Sequence, residues 1–404
     1  MTTSFHAWPD ERLWNQSFQV TRLLGIIDFG GADFTEIHEA IQRITPGDDE
    51  SWHREWYRLG ALCERQGHEA MRYGNRLTVR YAYQRASNYY RAAQFYLPGS
   101  DPRKLPILHK VRDTFRTAMQ HFDHPCETVE IPYENTTLSG YFVPARHAMG
   151  RLPTILYLNG LDSLSEEAYF TVALPASLAG YHCLVFNAPG VGLTLYEKGL
   201  STRYDCEHFV TPALDFLLQR PEVDPARVAV VGESFAGYLV PRAAAFEPRF
   251  AAAVGWGASF SWGSALDPEV THPFETLPPP VTPHRLAFFG ARDAEEWVKI
   301  RAQFRLADVM HRLKCPYLVI VGTEDFAYAP VQEAIRMCES AGSQLKKCVV
   351  VERSHGLGGV LHCQKDNLHV LHAYTFNFLN EVLDYRPKTT ASVAHGDPGR
   401  AMQS

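Results

Sequence analysis

Six short apolar runs, Thr154–Leu158, His182–Phe186, Val228–Val231, Ala251–Val254, Tyr317–Val321 and Cys348–Val351, recur through the later part of the chain with helical stretches between them. Each is apolar at consecutive positions rather than alternate ones, as in strands covered on both faces. Strands of that kind separated by helices predict an α/β fold with a mostly parallel, doubly wound sheet. Ahead of them, Glu127–Tyr133 and Thr137–Val143 flank Glu134 and Asn135 and read as an antiparallel hairpin.

Before Cys126 the texture is helical. Phe34–Ile44, Trp52–Gln66, Glu69–Tyr96 and Lys110–Gln120 place apolar residues three and four apart, and Gly30-Gly31, Pro46-Gly47 and Pro98-Gly99 punctuate them. The chain is therefore expected to divide into a helical segment over 1–125 and an α/β unit over 126–384. A lid-like insertion is expected at about 258–306, carrying Trp262, Pro278-Pro279-Pro280 and a helix over Ala294–Arg305. The small, polar stretch 385–404 reads as a disordered tail. Tyr81–Tyr96 is rich in aromatic residues, Tyr89 among them. Packing into the helical core is the expected role, with a wall facing a ligand as the alternative.

Bulk properties exclude several classes of function. A net charge of −6 over 404 residues gives no footing for nucleic acid or an anionic membrane. No apolar run approaches the ~20 residues a bilayer requires, and the first residues show neither a basic nor an apolar signal region, so a cytoplasmic protein is expected. The eight cysteines are scattered without a C-x-x-C pair and read as reduced thiols. The 18 histidines include no H-E-x-x-H spacing, so no metal is expected. Asn187-Ala-Pro-Gly190-Val-Gly192 lacks the third glycine of a dinucleotide loop, so no cofactor is expected.

The chemistry centres on Val228-Ala-Val-Val-Gly232-Glu-Ser234-Phe-Ala236-Gly237. An apolar strand, a glycine, a serine and a helical start are the sequence form of a nucleophile elbow. A serine hydroxyl is a weak nucleophile at neutral pH and needs an imidazole to take its proton and a carboxylate to orient that imidazole. The carboxylate is expected just past a later strand, and Asp325 in Gly322-Thr-Glu-Asp325 fills that place. The histidine is expected after the next strand, where Ser354-His355-Gly356 stands; His362, His369 and His372 fall in or near the last predicted helix. An oxyanion hole needs two backbone N–H donors. Phe235 supplies one as the residue after the serine, and Leu161 in Asn159-Gly160-Leu161-Asp162 supplies the other. Asp162 is expected to cap the following helix or to face the pocket. Gly160, Asp162, Tyr89 and Trp262 are the candidate substrate contacts.

With these residues in place the chain resembles α/β-hydrolases of the group containing FrsA-like esterases, the 2,6-dihydroxypseudooxynicotine hydrolase and the fungal pigment hydrolases that shorten polyketides. Asn159–Asp162, Pro189–Gly192, Gly232–Gly237, Gly322–Asp325 and Ser354–Gly356 carry the resemblance, together with Arg85-Ala-Ser-x-Tyr-Tyr-Arg91 in the helical segment. It implies an α/β-hydrolase fold with an N-terminal helical cap, a homodimer, and cleavage of an acyl group at a C–C or ester bond of an aromatic or polyketide-like small molecule. An acyltransferase or cyclase using the same triad is the rival reading. A non-catalytic binding protein on the same fold is a third, disfavoured by the presence of all three triad candidates.

Overall fold

The computed structural model describes residues 7–8, 14–146, 149–258, 260–262, 281–325 and 330–387. The tail from 388, and 263–280 of the expected insertion, lie outside the described residues.

Among the described residues five α-helices come first: α1 (Trp14–Leu24), α2 (Phe34–Ile41), α3 (Asp49–Arg72), α4 (Arg76–Ala93) and α5 (Lys104–Met119). Three of them start on side-chain caps, Asp33 to the Glu36 amide, Asp48 to Glu50 and Asn75 to Thr78, each satisfying an N–H that a helix start leaves unpaired. The α3–α4 break lies at Gly74 and Asn75, not near Gly67 as the periodicity predicts. Gly67 sits inside α3 because a Cβ there would come within 2.5 Å of the Tyr83 ring. Its purpose is close helix packing.

An eight-stranded sheet follows in the order β1-β2-β4-β3-β5-β6-β7-β8. The strands are β1 (Glu127–Tyr133), β2 (Thr136–Val143), β3 (Leu152–Leu158), β4 (His182–Phe186), β5 (Val223–Glu233), β6 (Ala252–Trp256), β7 (Tyr317–Gly322) and β8 (Lys346–Val351). β1 pairs antiparallel with β2, and β2 with β4; every other pairing is parallel. All residues of β4, β6 and β7 are buried, so these strands are covered on both faces. The hairpin turns at Glu134, whose φ is +49°.

The first helices and the sheet share buried contacts. Phe115 of α5 packs edge-on to Tyr141 of β2 and to Tyr169, at centroid distances of 4.8 and 5.2 Å. The described part of the expected insertion contains the helices Val281–Phe289 and Ala294–Arg301. No helix among the described residues is long and apolar enough to cross a membrane.

Candidate active site

β5 runs apolar to Val231 and ends on Gly232 and Glu233, and the helix Ala236–Phe246 begins two residues after Ser234. Ser234 has φ +57°, a left-handed conformation that costs a serine on the order of 1–3 kcal/mol. The surroundings hold it there. Its N–H donates to the Trp256 carbonyl at 2.8 Å, and its carbonyl accepts from Gly237 N–H at 2.8 Å. A Cβ on Gly232 would lie 2.6 Å from the Ala236 Cβ. The small residue is thus obligatory at 232, and alanine fits at 236.

Asp325 follows the end of β7 by three residues, with its side chain buried. Its two carboxylate oxygens stand 2.8 and 2.9 Å from Nδ1 of His362, and Nε2 of His362 stands 2.8 Å from Ser234 Oγ. A carboxylate only accepts, so Nδ1–H donates to Asp325 and Nε2 is free to accept from the serine hydroxyl. Burial alone would lower the His362 pKa, but Asp325, by its charge and its hydrogen bond, and the adjacent Cys363 together outweigh it and hold the pKa well above 6.5.

His355 does not occupy this place, which corrects the expectation from sequence. It ends the exposed turn Arg353–His355, and its Nδ1 lies 3.4 Å from the Glu352 amide N–H. Gly356, Gly358 and Gly359 all have positive φ. They return the chain to β7, where Glu324 N–H donates to the Val360 carbonyl at 2.9 Å, and so deliver His362 to the serine. The overlooked signal was Asn367, whose side chain caps the last helix at Leu368 and leaves His362 in the loop before it.

Gly160 approaches the nucleophile closely: a Cβ there would stand 3.0 Å from the Ser234 Cβ. Among the described residues, neither Leu161 N–H nor Phe235 N–H donates to a protein acceptor. The Phe235 ring packs on Trp262, Phe288 and Phe304 at 5.0, 4.9 and 5.6 Å. Trp262 therefore belongs to an aromatic cluster that the insertion places against the elbow. Tyr89 is fully buried within the helical segment; its hydroxyl donates to Glu36 and accepts from Asp33 N–H. It is a core residue, as the aromatic pattern predicts, and does not reach the serine.

Beside the Leu161 loop lies a cavity of about 30 Å³ lined by Phe95, Lys104, Leu161, Asp162, Tyr196 and His284 among others. Asp162 faces this cavity. Burial alone would raise its pKa, yet His284 and Arg22 hold it below the usual carboxylate range. His284 Nε2 stands 3.4 Å from Asp162 and Nδ1 2.7 Å from the Tyr196 hydroxyl. Lys104 is buried, donates to the Gln94 and Leu97 carbonyls, and has its pKa pushed down to about 8 by that burial. No group of three metal-ligating side chains occurs among the described residues.

Residues 155–363 match the model of the Alpha/beta hydrolase family. The chain belongs to that family. It is 30% identical to "Hydrolyase poxO" of Penicillium oxalicum, over 91% of this chain and 97% of that one. It is 36% identical to "Alpha/beta hydrolase xenA" of Xenoacremonium sinensis, over 62% of this chain and 61% of that one. Among solved structures, a 2,6-dihydroxy-pseudo-oxynicotine hydrolase superposes with a TM-score of 0.72 at 20% identity, covering 89% of this chain and 95% of its own. AbyA5 superposes with a TM-score of 0.63 at 18% identity. These two likenesses establish the fold, N-terminal helices included, since each covers nearly nine-tenths of this chain.

Proposed function

We propose that this hydrolase cleaves an acyl group from an aromatic or polyketide-like small molecule through a serine-bound acyl intermediate. The observation that carries the proposal is the unbroken chain from Ser234 Oγ to His362 to Asp325, each link at 2.8–2.9 Å. Ser234 attacks the substrate carbonyl as His362 Nε2 takes its proton. The oxyanion is held by Leu161 N–H and Phe235 N–H, the two amides free of protein acceptors. His362 then returns the proton to the departing carbon or oxygen, and water releases the acyl group by the same steps in reverse order.

The substrate class rests on two separate features: the cavity beside the Leu161 loop, whose lining includes Leu161 but not Ser234, and the aromatic cluster packed on Phe235. Phe95, Leu161 and the cluster around Phe235 favour an apolar, ring-bearing acyl or aryl group. Lys104, Tyr196 and His284 favour an acidic oxygen on it, of the kind a phenol or an enolised diketone presents. Expulsion of a carbon leaving group requires such an oxygen, because the departing carbanion must be delocalised. A cavity of about 30 Å³ has room for only a few waters, so such a ligand must widen it, and the Val281–Phe289 helix that carries His284 is the wall to move.

The test supplies matched aryl esters and acyl-phenol or β-diketone ketones in ¹⁸O-water, with products identified by mass. One ¹⁸O in the released acid, lost in Ser234→Ala together with fluorophosphonate labelling, is the expected result. An unlabelled product of conserved mass would replace hydrolysis by acyl transfer or cyclisation, and activity retained by Ser234→Ala would remove the serine mechanism.

A further inference from the structure

The N-terminal helix α1 and the glycine that follows it reach three parts of the proposed catalytic apparatus at once. Phe18 stands edge-on to the His362 ring at 6.0 Å. Gly25 approaches the same loop so closely that a Cβ would lie 2.5 Å from the Lys365 carbonyl oxygen. Arg22, which is buried, forms a two-pronged ion pair with Glu167 and donates to the Asp162 carbonyl and the Ser163 hydroxyl at 3.4 and 3.3 Å. Asp162 and Ser163 directly follow Leu161.

These contacts continue inward. Ser163 donates to Glu233, the residue before the nucleophile. Glu233 in turn pairs with Lys365 at 2.6 Å, three residues past His362. Arg91 of α4 lies 3.8 Å from Glu167, and its guanidinium nitrogens are buried without a hydrogen bond in the protein. The cations Arg22, Arg91 and Lys365 thus meet the carboxylates Glu167 and Glu233, while the Asp162 carboxylate turns to His284. Burial alone would raise the Glu167 pKa, but the cations around it hold it at about 2, while burial pushes Arg91 down to about 10. Buried pairs such as Arg22–Glu167 and Lys365–Glu233 resist deformation, because displacing either partner leaves a charge unpaired in the interior.

We propose that Arg22 is a positioning residue for the reaction: it fixes the Leu161 loop relative to Ser234, so the helical segment completes the oxyanion site as well as covering it. This rests on the serine-hydrolase reading above. Arg22 touches neither substrate nor reacting atoms, and its effect passes through the backbone of residues 161–163. The donor at Leu161 must face the position where charge develops, and a shift of roughly 1 Å there can cost on the order of 100-fold in rate.

The experiment uses the full chain as the parent and as Arg22→Met, Glu167→Gln, Arg22→Met/Glu167→Gln, Arg22→Lys and, as a control at an exposed pair with Glu39, Arg43→Met. Either single charge deletion strands its partner and should melt well below the parent. The double variant keeps the cluster balanced and should melt near the parent, while kcat on an aryl ester falls about 10- to 100-fold with KM changed less than about threefold. Fluorophosphonate labelling of Ser234 should slow in parallel. The acid limb of the pH profile should stay in place, since His362 and Asp325 are untouched. Arg22→Lys keeps the charge but cannot span the same three partners, so it should lose kcat similarly even if the double variant fails to fold. A folded double variant or Arg22→Lys with parental kcat, or a loss confined to KM, overturns the proposal. A parent that fluorophosphonate does not label overturns the serine reading and the proposal with it, whereas a labelled parent with insensitive variants overturns the positioning role alone.

Discussion

Ser234 and Cys363 hang from one acceptor: the carbonyl of Trp256 receives the Ser234 N–H at 2.8 Å and the Cys363 thiol at 3.2 Å. The end of β6 thereby fixes the nucleophile and the residue beside its histidine to a common point. Cys363 has φ +50° and Gln364 φ +49°, so the histidine loop is held in a conformation that its residues do not favour. Backbone strain thus lies on both sides of the Ser234–His362 contact, as the proposed active site would require.

His362→Ala is accordingly expected to lower kcat/KM by on the order of 10⁴–10⁶, while His355→Ala leaves it within about twofold, since an exposed turn residue away from the serine contributes nothing to proton transfer. Steady-state rates and fluorophosphonate labelling of both variants check this. A loss at His355 matching the loss at His362 would return the base to the position expected from sequence.

The same contact fixes the pH dependence. As the proposed base, His362 acts only when neutral, and Asp325 together with Cys363 raises its pKa above 6.5 against the effect of burial, so the acid limb of kcat/KM is expected above that value. Asp325→Asn removes the charge that raises it. The limb should then move to lower pH while kcat falls by on the order of 10⁴. Stability follows the raised pKa as well: the pair's contribution is fully present below about pH 6.5 and is lost as pH rises through the higher folded value. Rate profiles and melting curves of the two proteins across pH 5–9 test both halves.

The fold was legible because buried parallel strands announce themselves. His182–Phe186, apolar from Cys183 onward, matches β4 to the residue, whereas β5 begins five residues earlier than its apolar run because Val223–Arg227 contains Pro225 and two charged residues. The elbow and Asp325 were legible for the same reason, each lying at the end of an apolar run. His362 was not. Its place depends on three glycines turning the chain back to β7 and on a helix cap at Asn367, both of which act over distances that local periodicity does not register. The balanced cluster around Arg22 was less accessible still, because it joins residues from opposite ends of the chain.

Tyr89 separates a core role from a substrate role. Its ring is fully buried, while its hydroxyl bonds half-buried Glu36 and the amide of exposed Asp33 at the edge of the helical segment. Tyr89→Phe leaves both groups short of a partner, and a loss of about 1–3 kcal/mol of stability is expected with kcat/KM unchanged. Denaturant unfolding beside steady-state kinetics is the measurement. A selective rise in KM with stability intact would place the ring against substrate instead.

Gly232 and Ala236 make the last prediction, one about the elbow itself. Their Cβ positions compete for the same space, since a methyl group on Gly232 would meet Ala236 at 2.6 Å and Val240 at 2.9 Å. Gly232→Ala should cost about 1–3 kcal/mol through overpacking and should displace Ser234, so both the melting temperature and the labelling rate fall. Gly232→Ala combined with Ala236→Gly removes the nearer clash and is expected to recover part of both, whereas Ala236→Gly alone loses only about 1 kcal/mol of helix stability. Calorimetry and labelling rates on the three variants distinguish steric exclusion at the elbow from a general intolerance of substitution: if the double variant were no better than Gly232→Ala, the Gly232–Ala236 contact would not be what sets the turn.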